Sequence, residues 1–291
     1  MRTRRMEKLR PVRCRSGDGA TSAGGLEYGH RQGEIAMQTL MLPAARAAVA
    51  VLLLGAAASS LAQTPSPRPT VTRLLVTEYR VKPDMVGQWL ALQRNEVVPA
   101  LKKAGVAQYT VYQTVIGDAS DFTVVTPLKS FGEFDGPDAL ERALGAQQAA
   151  ALSAKLGECT ESIHRRIENR QDEFYIDPGA ASALFASSYR AMPGRSQDYM
   201  SFIRAEMFPV MQTAKENGTF AGLSVTVSVQ GGEAGIITLN MHYPDFAPLD
   251  GPPPVAKTLG PEGTREFITK GAGLITPLEQ LILKRVAEIS F

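Results

Sequence analysis

The sequence predicts an α+β fold made of two tandem copies of one βαββαβ unit. The first observation is a repeat with an offset of 110 residues: residues 79–83 (YRVKP) return as 189–193 (YRAMP). The second is that strand-like alternation of residue types comes just before each of these segments. The third is that helical spacing follows each of them. Self-similarity over such a distance predicts a duplicated structural unit.

Further matches follow in the same order along the chain. The segment 94–99 (Arg-x-Glu-x-x-Pro) returns at 204–209, and 131–137 (Phe-x-x-x-Asp-Gly-Pro) returns at 246–252. Several matches in one order are hard to obtain by chance. The duplication is therefore expected to extend over most of the chain.

Each copy opens with a strand. Leu75, Thr77 and Tyr79 alternate along one face of the first strand, and Ser187 and Tyr189 take the same places in the second copy. Side chains two residues apart in a strand share a face, so this alternation is typical of a β-strand. A strand is therefore predicted at the start of both copies.

A helix with a proline near its end follows each strand. Apolar residues at 85, 89 and 92, and again at 199, 202 and 203, have the spacing of one helix face. Pro99 and Pro209 lie near the ends of these helices. Because proline lacks the backbone N–H that a helix uses, both helices are expected to be kinked there.

Two strands, a second helix and a last amphipathic segment complete each copy. In the first copy they are predicted at 109–116 and 122–127, at 139–156, and at 163–169. In the second copy they are predicted at 223–229 and 235–241, at about 264–274, and at 281–289. The last segment is ambiguous between helix and strand. The order βαββαβ is that of a ferredoxin-like unit, and the two repeats are predicted to occupy 73–177 and 178–291.

The repeated unit resembles the dimeric α/β-barrel superfamily, which contains NIPSNAP-like, antibiotic-biosynthesis-monooxygenase-like, EthD-like and chlorite-dismutase-like proteins. The resemblance is based on the order of elements, on the Tyr-Arg-x-x-Pro segment after the first strand, and on the Arg-x-Glu-x-x-Pro segment of the helix. It implies that the two ferredoxin-like repeats pack their sheets face to face and form one pseudo-dimeric α/β barrel. The superfamily contains cofactor-free oxygenases, haem enzymes and isomerases, so the fold alone selects no function.

The N-terminal part of the sequence has the layout of an export signal. Residues 1–36 are rich in Arg and Gly and are predicted to lie upstream of the true start at Met37. Residues 37–62 contain a basic segment, an apolar run of 12 residues and a small-x-small cleavage site, which is the layout of a Sec-type signal peptide. Residues 63–72 are predicted to be a Pro-rich linker. The protein is therefore expected to be bacterial and to be periplasmic or secreted.

Charge and composition exclude several classes of partner. The 291 residues carry 31 Lys and Arg against 29 Asp and Glu, a formal net charge of +2. Residues 1–62 contain nine of these bases and four of the acids, so the exported chain has a net charge of −3. No nucleic acid is expected to bind an acidic chain without a dense basic patch, and no membrane contact is expected after signal cleavage.

The exported chain holds few metal-ligating residues. Cys159, His164 and His242 are its only cysteine and histidines. A lone cysteine in an oxidising compartment has no internal partner, so Cys159 is expected to be buried. No metal site and no cofactor are expected. Haem proteins with this fold use a histidine as the iron ligand, but the residues around His242 (NMHYP) match no haem pattern.

Five residues are the candidates for ligand binding: Tyr79, Tyr189, Tyr112, Gln113 and His242. The first two share strand faces with hydroxyl residues, so they are candidates for lining a cavity. Tyr112 and Gln113 add a phenol and an amide to a neighbouring strand, and His242 follows the third strand of the second copy. The alternative is that the tyrosines are core residues and that His242 is structural.

These residues predict the binding of a small neutral or weakly polar molecule between the two sheets. Two alternatives stay open. One is an enzyme of the cofactor-free monooxygenase or isomerase kind, for which a positioned acid or base is required. The other is a structural or interaction module whose barrel is filled by side chains.

Mass spectrometry of the protein exported by a bacterial host tests the N-terminal predictions. The mature chain is expected to begin at Gln63, because the small-x-small site ends at Ala62. No peptide from residues 1–36 is expected in any fraction. A peptide from that segment would overturn the assignment of Met37 as the start.

Overall fold

The computed structural model describes residues 70–291. The segments 1–36 and 37–62 and most of the linker 63–72 lie outside the described residues, so the assignments made for them stay predictions. Within the described part, no helix is both long enough and apolar enough to cross a membrane.

The first repeat contains four strands and four short helices. They are β1 (Val71–Val81), α1 (Val86–Leu92), α2 (Val98–Lys103), β2 (Thr110–Ile116), β3 (Asp121–Pro127), α3 (Ala139–Leu144), α4 (Ala146–Cys159) and β4 (Thr160–Gln171). The two middle strands match their predicted spans to within one residue. The last segment, ambiguous in the sequence, is a strand.

The second repeat has the same order. Its elements are β5 (Ala183–Ala191), α5 (Ser196–Phe202), α6 (Phe208–Glu216), β6 (Gly222–Gln230), β7 (Ile236–Tyr243), α7 (Pro254–Ala272) and β8 (Ile275–Arg285). The βαββαβ order is therefore confirmed in both halves. The helix predicted at about 264–274 begins earlier, because α7 continues through a kink at Gly260, whose φ of 68° is left-handed.

The eight strands close into one antiparallel barrel in the order β1-β3-β2-β8-β5-β7-β6-β4. Each repeat supplies four consecutive strands of this order. The two halves join where β2 pairs with β8 and where β4 pairs with β6. Every second residue of a strand faces the barrel interior, and the others face the helices, which cover the outside.

Two hydrophobic cores lie between the barrel wall and the helices, one in each repeat. The core of the first repeat is built around the fully buried Trp89, Phe122 and Cys159, and that of the second around Tyr199 and Ile203. The burial of Cys159 is as expected. The main apolar packing of the fold is therefore outside the barrel rather than inside it.

A π-helical turn precedes each of the two repeated prolines. It spans Gln93–Val97 in the first repeat and Ile203–Met207 in the second, and it directly joins the helices before and after it. The N–H of Val98 bonds to the carbonyl of Gln93, five residues back. Because Pro99 has no N–H, the helix widens by one residue instead of ending. The predicted kink is thus a π-bulge.

The segment after the last strand of each repeat crosses to the other repeat. Ile289 follows β8, is fully buried and belongs to the core of the first repeat. Phe174 follows β4 and belongs to the core of the second repeat. The backbones of Tyr109 and Phe291 exchange two hydrogen bonds of 2.8 Å. These two crossing segments therefore complete each core with residues of the other repeat.

The repeated Arg-x-Glu pairs hold these crossing segments in place. Arg94 forms an ion pair with Glu288, next to Ile289, and Arg204 pairs with Glu173 at 2.7 Å, next to Phe174. These pairs are half-exposed, so each is expected to contribute at most about 1 kcal/mol. Because the same ion pair occurs at equivalent places in both repeats, the two repeats hold each other's crossing segment in the same way.

Replacing Ile289 tests the contribution of the crossing segment. Ile289→Ala removes a fully buried side chain, and such a change costs about 2–5 kcal/mol of unfolding free energy. Ile268→Ala is the matched control, because Ile268 is 59% exposed and its replacement is expected to cost less than about 0.5 kcal/mol. Urea unfolding measures both. Equal and small losses of unfolding free energy in both variants would contradict the packing of Ile289 in the core of the first repeat.

Candidate functional site

A cavity of about 230 Å³ lies inside the barrel. All eight strands contribute to its wall through their inward-facing residues. The apolar part of the wall is formed by Leu74, Val76, Val125, Leu184, Leu281 and Leu283. The interior is therefore not filled by side chains, contrary to the alternative of a solid barrel.

Paired charges occupy the wall formed by β1 and β4. Arg166 donates to Glu168 at 2.6 Å and to Glu78, and Glu168 is buried. Further along β4, Arg170 donates to Asp172 at 2.8 Å and lies 4.0 Å over the ring of Tyr175. Since each of these guanidinium groups has a carboxylate partner, this wall is electrostatically satisfied.

His242 and Tyr112 form a second polar group in the wall. Their ring centroids are 6.4 Å apart, and His242 is 7% exposed. Burial, and secondarily the charge of Arg285, lowers the pKa of His242 to about 4. Burial raises the pKa of Tyr112 to about 12. Both side chains are therefore neutral at pH 7, and each has an N–H or O–H to donate.

Hydroxyl groups on β5, β6 and β7 extend the polar surface. Ser188 and Thr238 share a hydrogen bond of 3.0 Å. Thr226 is buried, and its Oγ1 has no hydrogen-bond partner among the described residues. The Thr226 hydroxyl is therefore a buried polar group that the described residues leave unsatisfied.

Tyr79 and Tyr189 lie on the other face of their strands. Strand β1 turns even-numbered residues such as Glu78 inward, so Tyr79 faces the helices. Its ring centroid is 5.6 Å from that of Trp89, and burial raises its pKa. Tyr189 packs in the same way, 6.4 Å from Tyr199. The structure corrects the prediction that these two tyrosines line the cavity, because they are part of the outer cores.

Gln113 is also outside the cavity. It follows Tyr112, which faces inward, so its side chain is on the opposite side of β2. Its Nε2 donates to the carbonyl of Ala119 at 2.9 Å, which stabilises the turn between β2 and β3. Of the five predicted residues, the structure thus brings Tyr112 and His242 together in the cavity wall and places the other three elsewhere.

Solved structures share this architecture at low sequence identity. A proposed monooxygenase from Lactobacillus acidophilus aligns with a TM-score of 0.52 over 74% of this chain and 94% of its own, at 7% identity. A proposed monooxygenase from Fusobacterium nucleatum subsp. nucleatum aligns with a TM-score of 0.50 over 75% and 93%, at 12% identity. A haem-binding protein from Thermus thermophilus aligns at 0.43 over 75% and 93%, at 11% identity. No protein-family model and no curated protein matches the chain.

The first two alignments, together with the closed order of eight antiparallel strands, decide the fold. The chain has the fold of a dimeric α/β barrel. In this protein the two halves of the barrel are tandem repeats of one chain. At identities of 7% and 12%, the structural similarity shows the fold and assigns no chemistry to this chain.

Haem does not fit the cavity of this barrel. Its volume of about 230 Å³ is below the range of about 300–1,000 Å³ that holds drug-sized ligands, and a haem is larger than most of these. Residues 70–291 contain no group of three or more His, Cys, Asp or Glu side chains that could hold a metal ion.

The sequence analysis missed the charged residues of the wall. Arg166, Glu168 and Arg170 project inward from β4. This segment was ambiguous between helix and strand, so no face could be assigned to its side chains. If this segment is assigned as a strand, Arg166, Glu168 and Arg170 fall on one face, because side chains two residues apart in a strand share a face.

A pH titration tests the environment of His242. Its folded-state pKa of about 4 lies below the ordinary value near 6.5, so the unfolded chain binds more protons between these values. The free energy of unfolding is therefore expected to fall as the pH decreases from about 6.5 to about 4, by up to about 3 kcal/mol from this residue. Urea unfolding at several pH values measures the fall.

The matched variants are His242→Gln and His164→Gln. His242→Gln is expected to remove most of the fall in the free energy of unfolding between about pH 6.5 and about pH 4. His164→Gln changes an exposed residue and is expected to leave that fall as in the wild type. An NMR titration measures the pKa of the His242 imidazole directly. A His242 signal that titrates near pH 6.5 would show that the side chain is solvated rather than buried.

Proposed function

We propose that this protein is exported and that it binds a small organic molecule in the cavity inside its barrel. The observation that carries the proposal is the cavity of about 230 Å³, whose wall combines apolar side chains with the polar rings of Tyr112 and His242. Such a mixture is the usual composition of a ligand site: apolar surface gives affinity and a few polar groups fix orientation.

The size of the cavity limits the ligand. An apolar cavity of about 150 Å³ holds benzene, and drug-sized ligands occupy pockets of about 300–1,000 Å³. Because the cavity has a volume of about 230 Å³, the ligand is expected to be a single ring or a short chain with one or two polar groups.

An enzyme of the cofactor-free monooxygenase or isomerase kind is the second candidate. It is favoured by the position of His242 in the cavity wall, where it can contact a substrate. A general base works best when its pKa lies near the working pH. The pKa of His242 is lowered to about 4, which makes it a weak base at neutral pH. Binding is therefore preferred over catalysis.

Filling the cavity tests the proposal. Ala186 is a small inward-facing residue of β5, and Ala186→Phe is expected to occupy the space that a ligand needs. Native mass spectrometry of the wild-type protein from a bacterial host is expected to show a co-purified small molecule, and the variant is expected to lack it. Ala154→Phe is the control, because Ala154 is exposed on α4.

Thermal unfolding of both variants separates loss of binding from loss of folding. A folded Ala186→Phe protein that still carries the molecule would contradict the proposed place of binding. Wild-type protein without any bound molecule, and with no stabilisation by a library of small ring compounds, would contradict the proposed function itself.

A further inference from the structure

The lining of the cavity contains more carboxylates than guanidinium groups. Its charged residues within 70–291 are two arginines and three glutamates, namely Arg166, Arg170, Glu78, Glu168 and Glu279. Arg170 donates to Asp172 at 2.8 Å and is neutralised by it. Three glutamates then face one guanidinium, that of Arg166, so two formal negative charges are in excess.

Two of these glutamates share the guanidinium of Arg166. Its Nε donates to Oε1 of Glu168 at 2.6 Å, and its Nη1 donates to Oε1 of Glu78. The other oxygen of each carboxylate, Oε2, accepts no hydrogen bond from residues 70–291. Each carboxylate therefore keeps one oxygen for a further donor.

Burial makes the charge of Glu168 costly. This residue is 6% exposed, whereas Glu279 is exposed to solvent. A buried carboxylate is stable only when an opposite charge and hydrogen bonds replace the water that it loses. Arg166 provides part of that replacement, but Glu78 competes for the same guanidinium. A second cation beside Glu168 would complete the compensation.

His242 is an independent hydrogen-bond acceptor in the same lining. It is 7% exposed, and its ring forms no hydrogen bond with any other of residues 70–291. Because the imidazole is neutral at pH 7, one of its ring nitrogens has a lone pair to offer. The cavity thus presents buried acceptors from both repeats, and such a set favours a ligand that carries donors.

Tyr112 links the carboxylates to the aromatic part of the lining. Glu78, Thr123 and Tyr112 are in register on β1, β3 and β2, and all three line the cavity. Neighbouring strands are about 4.8 Å apart, so the backbones of Glu78 and Tyr112 are separated by about 10 Å. The ring centroid of His242 is 6.4 Å from that of Tyr112. A small molecule with a ring and a short charged arm can reach from these rings to the carboxylates.

We infer that the ligand of the cavity is a small organic amine, bound as a cation, whose ammonium group lies beside the carboxylates of Glu168 and Glu78. The inference is based on the proposed function and adds the chemical class of the ligand. An ammonium group has three N–H donors and no acceptor, which matches the two free Oε2 atoms. The sequence predicts a neutral or weakly polar ligand instead, because it does not reveal that the charged residues of β4 face the cavity.

The apolar side chains next to the ion pairs fit the rest of such a molecule. Leu74 and Val76 of β1 lie opposite Glu168 and Arg166 of β4, and both line the cavity. The hydrocarbon part of an amine can pack on them while its charge stays at the carboxylates. The site is therefore anionic on one part of its surface and apolar directly beside it.

Binding of benzylamine, benzyl alcohol and benzoate tests the inference. The three probes have one ring and similar size, and at pH 7 they are a cation, a neutral molecule and an anion. Isothermal titration calorimetry of the protein purified from a bacterial host is expected to show benzylamine binding at least about tenfold more tightly than benzyl alcohol, because hydrogen bonds to charged groups are worth at least that factor. Benzoate is expected to bind more weakly than both.

Two variants assign the effect to the shared ion pair. Glu168→Gln and Glu78→Gln each remove one negative charge and keep the shape of the side chain. Both are expected to lower the benzylamine affinity at least about tenfold relative to that of benzyl alcohol. Glu78 is half-exposed, so its variant keeps the test open if the buried Glu168→Gln protein does not fold.

Glu233→Gln is the matched control. Glu233 is also a glutamate bound to an arginine, with 2.5 Å between its Oε2 and Arg190, but it is exposed and does not line the cavity. Its replacement is expected to leave the ratio of the two affinities unchanged. Thermal unfolding shows which variants are folded.

The outcomes separate this inference from the proposed function. Equal affinities for benzylamine and benzyl alcohol, tightest binding of benzoate, or an unchanged affinity ratio in the folded variants would overturn the amine site and leave a binding cavity. A co-purified molecule without an amine group would do the same. If no probe binds and the wild-type protein carries no molecule in native mass spectrometry, both the proposed function and this inference are wrong.

Discussion

Hydrogen bonding between the two repeats is the constraint on which the rest of the structure depends. A four-stranded ferredoxin-like sheet has two edge strands, whose backbone groups are left without partners. Pairing of β2 with β8 and of β4 with β6 removes all four edges. The same pairing fixes which residues of each strand face inward, because a shift by one residue would turn every side chain to the other face. The cavity therefore exists only as a joint product of both repeats.

The crossing segments make this dependence reciprocal. Phe174, from the end of the first repeat, is buried in the core of the second, and Ile289, from the end of the second, is buried in the core of the first. Each repeat thus lacks part of its own apolar core until the other is present. Arg94 and Arg204 bind the two segments at equivalent positions. A duplicated chain gains from this exchange, because the two halves are covalently joined and meet without a loss of translational freedom.

The fold could be predicted from the sequence, whereas the site could be predicted only in part. Repeated motifs and helical spacing identified the βαββαβ order, since these patterns depend on local geometry. Tyr79 was misplaced because its hydroxyl neighbour Thr77 was taken to indicate a cavity face, although Thr77 is buried on the helix side. Arg166 and Glu168 were missed for a different reason. Charged inward residues remove the hydrophobic alternation by which a strand is recognised, so the wall richest in chemistry is the one with the weakest pattern.

The two halves of the barrel share a backbone plan but differ in how they neutralise charge. At the end of β4, Arg170 is held by Asp172 and by the ring of Tyr175 within the same segment. At the end of β8, Arg285 has Ala287 in the place of the aspartate and pairs in register with Tyr112 of β2. Packing alone does not require this difference, because an aspartate at 287 would lie on an exposed residue. The ion pairs of the cavity wall therefore belong to the first repeat alone, and this makes an otherwise nearly symmetric barrel electrostatically asymmetric.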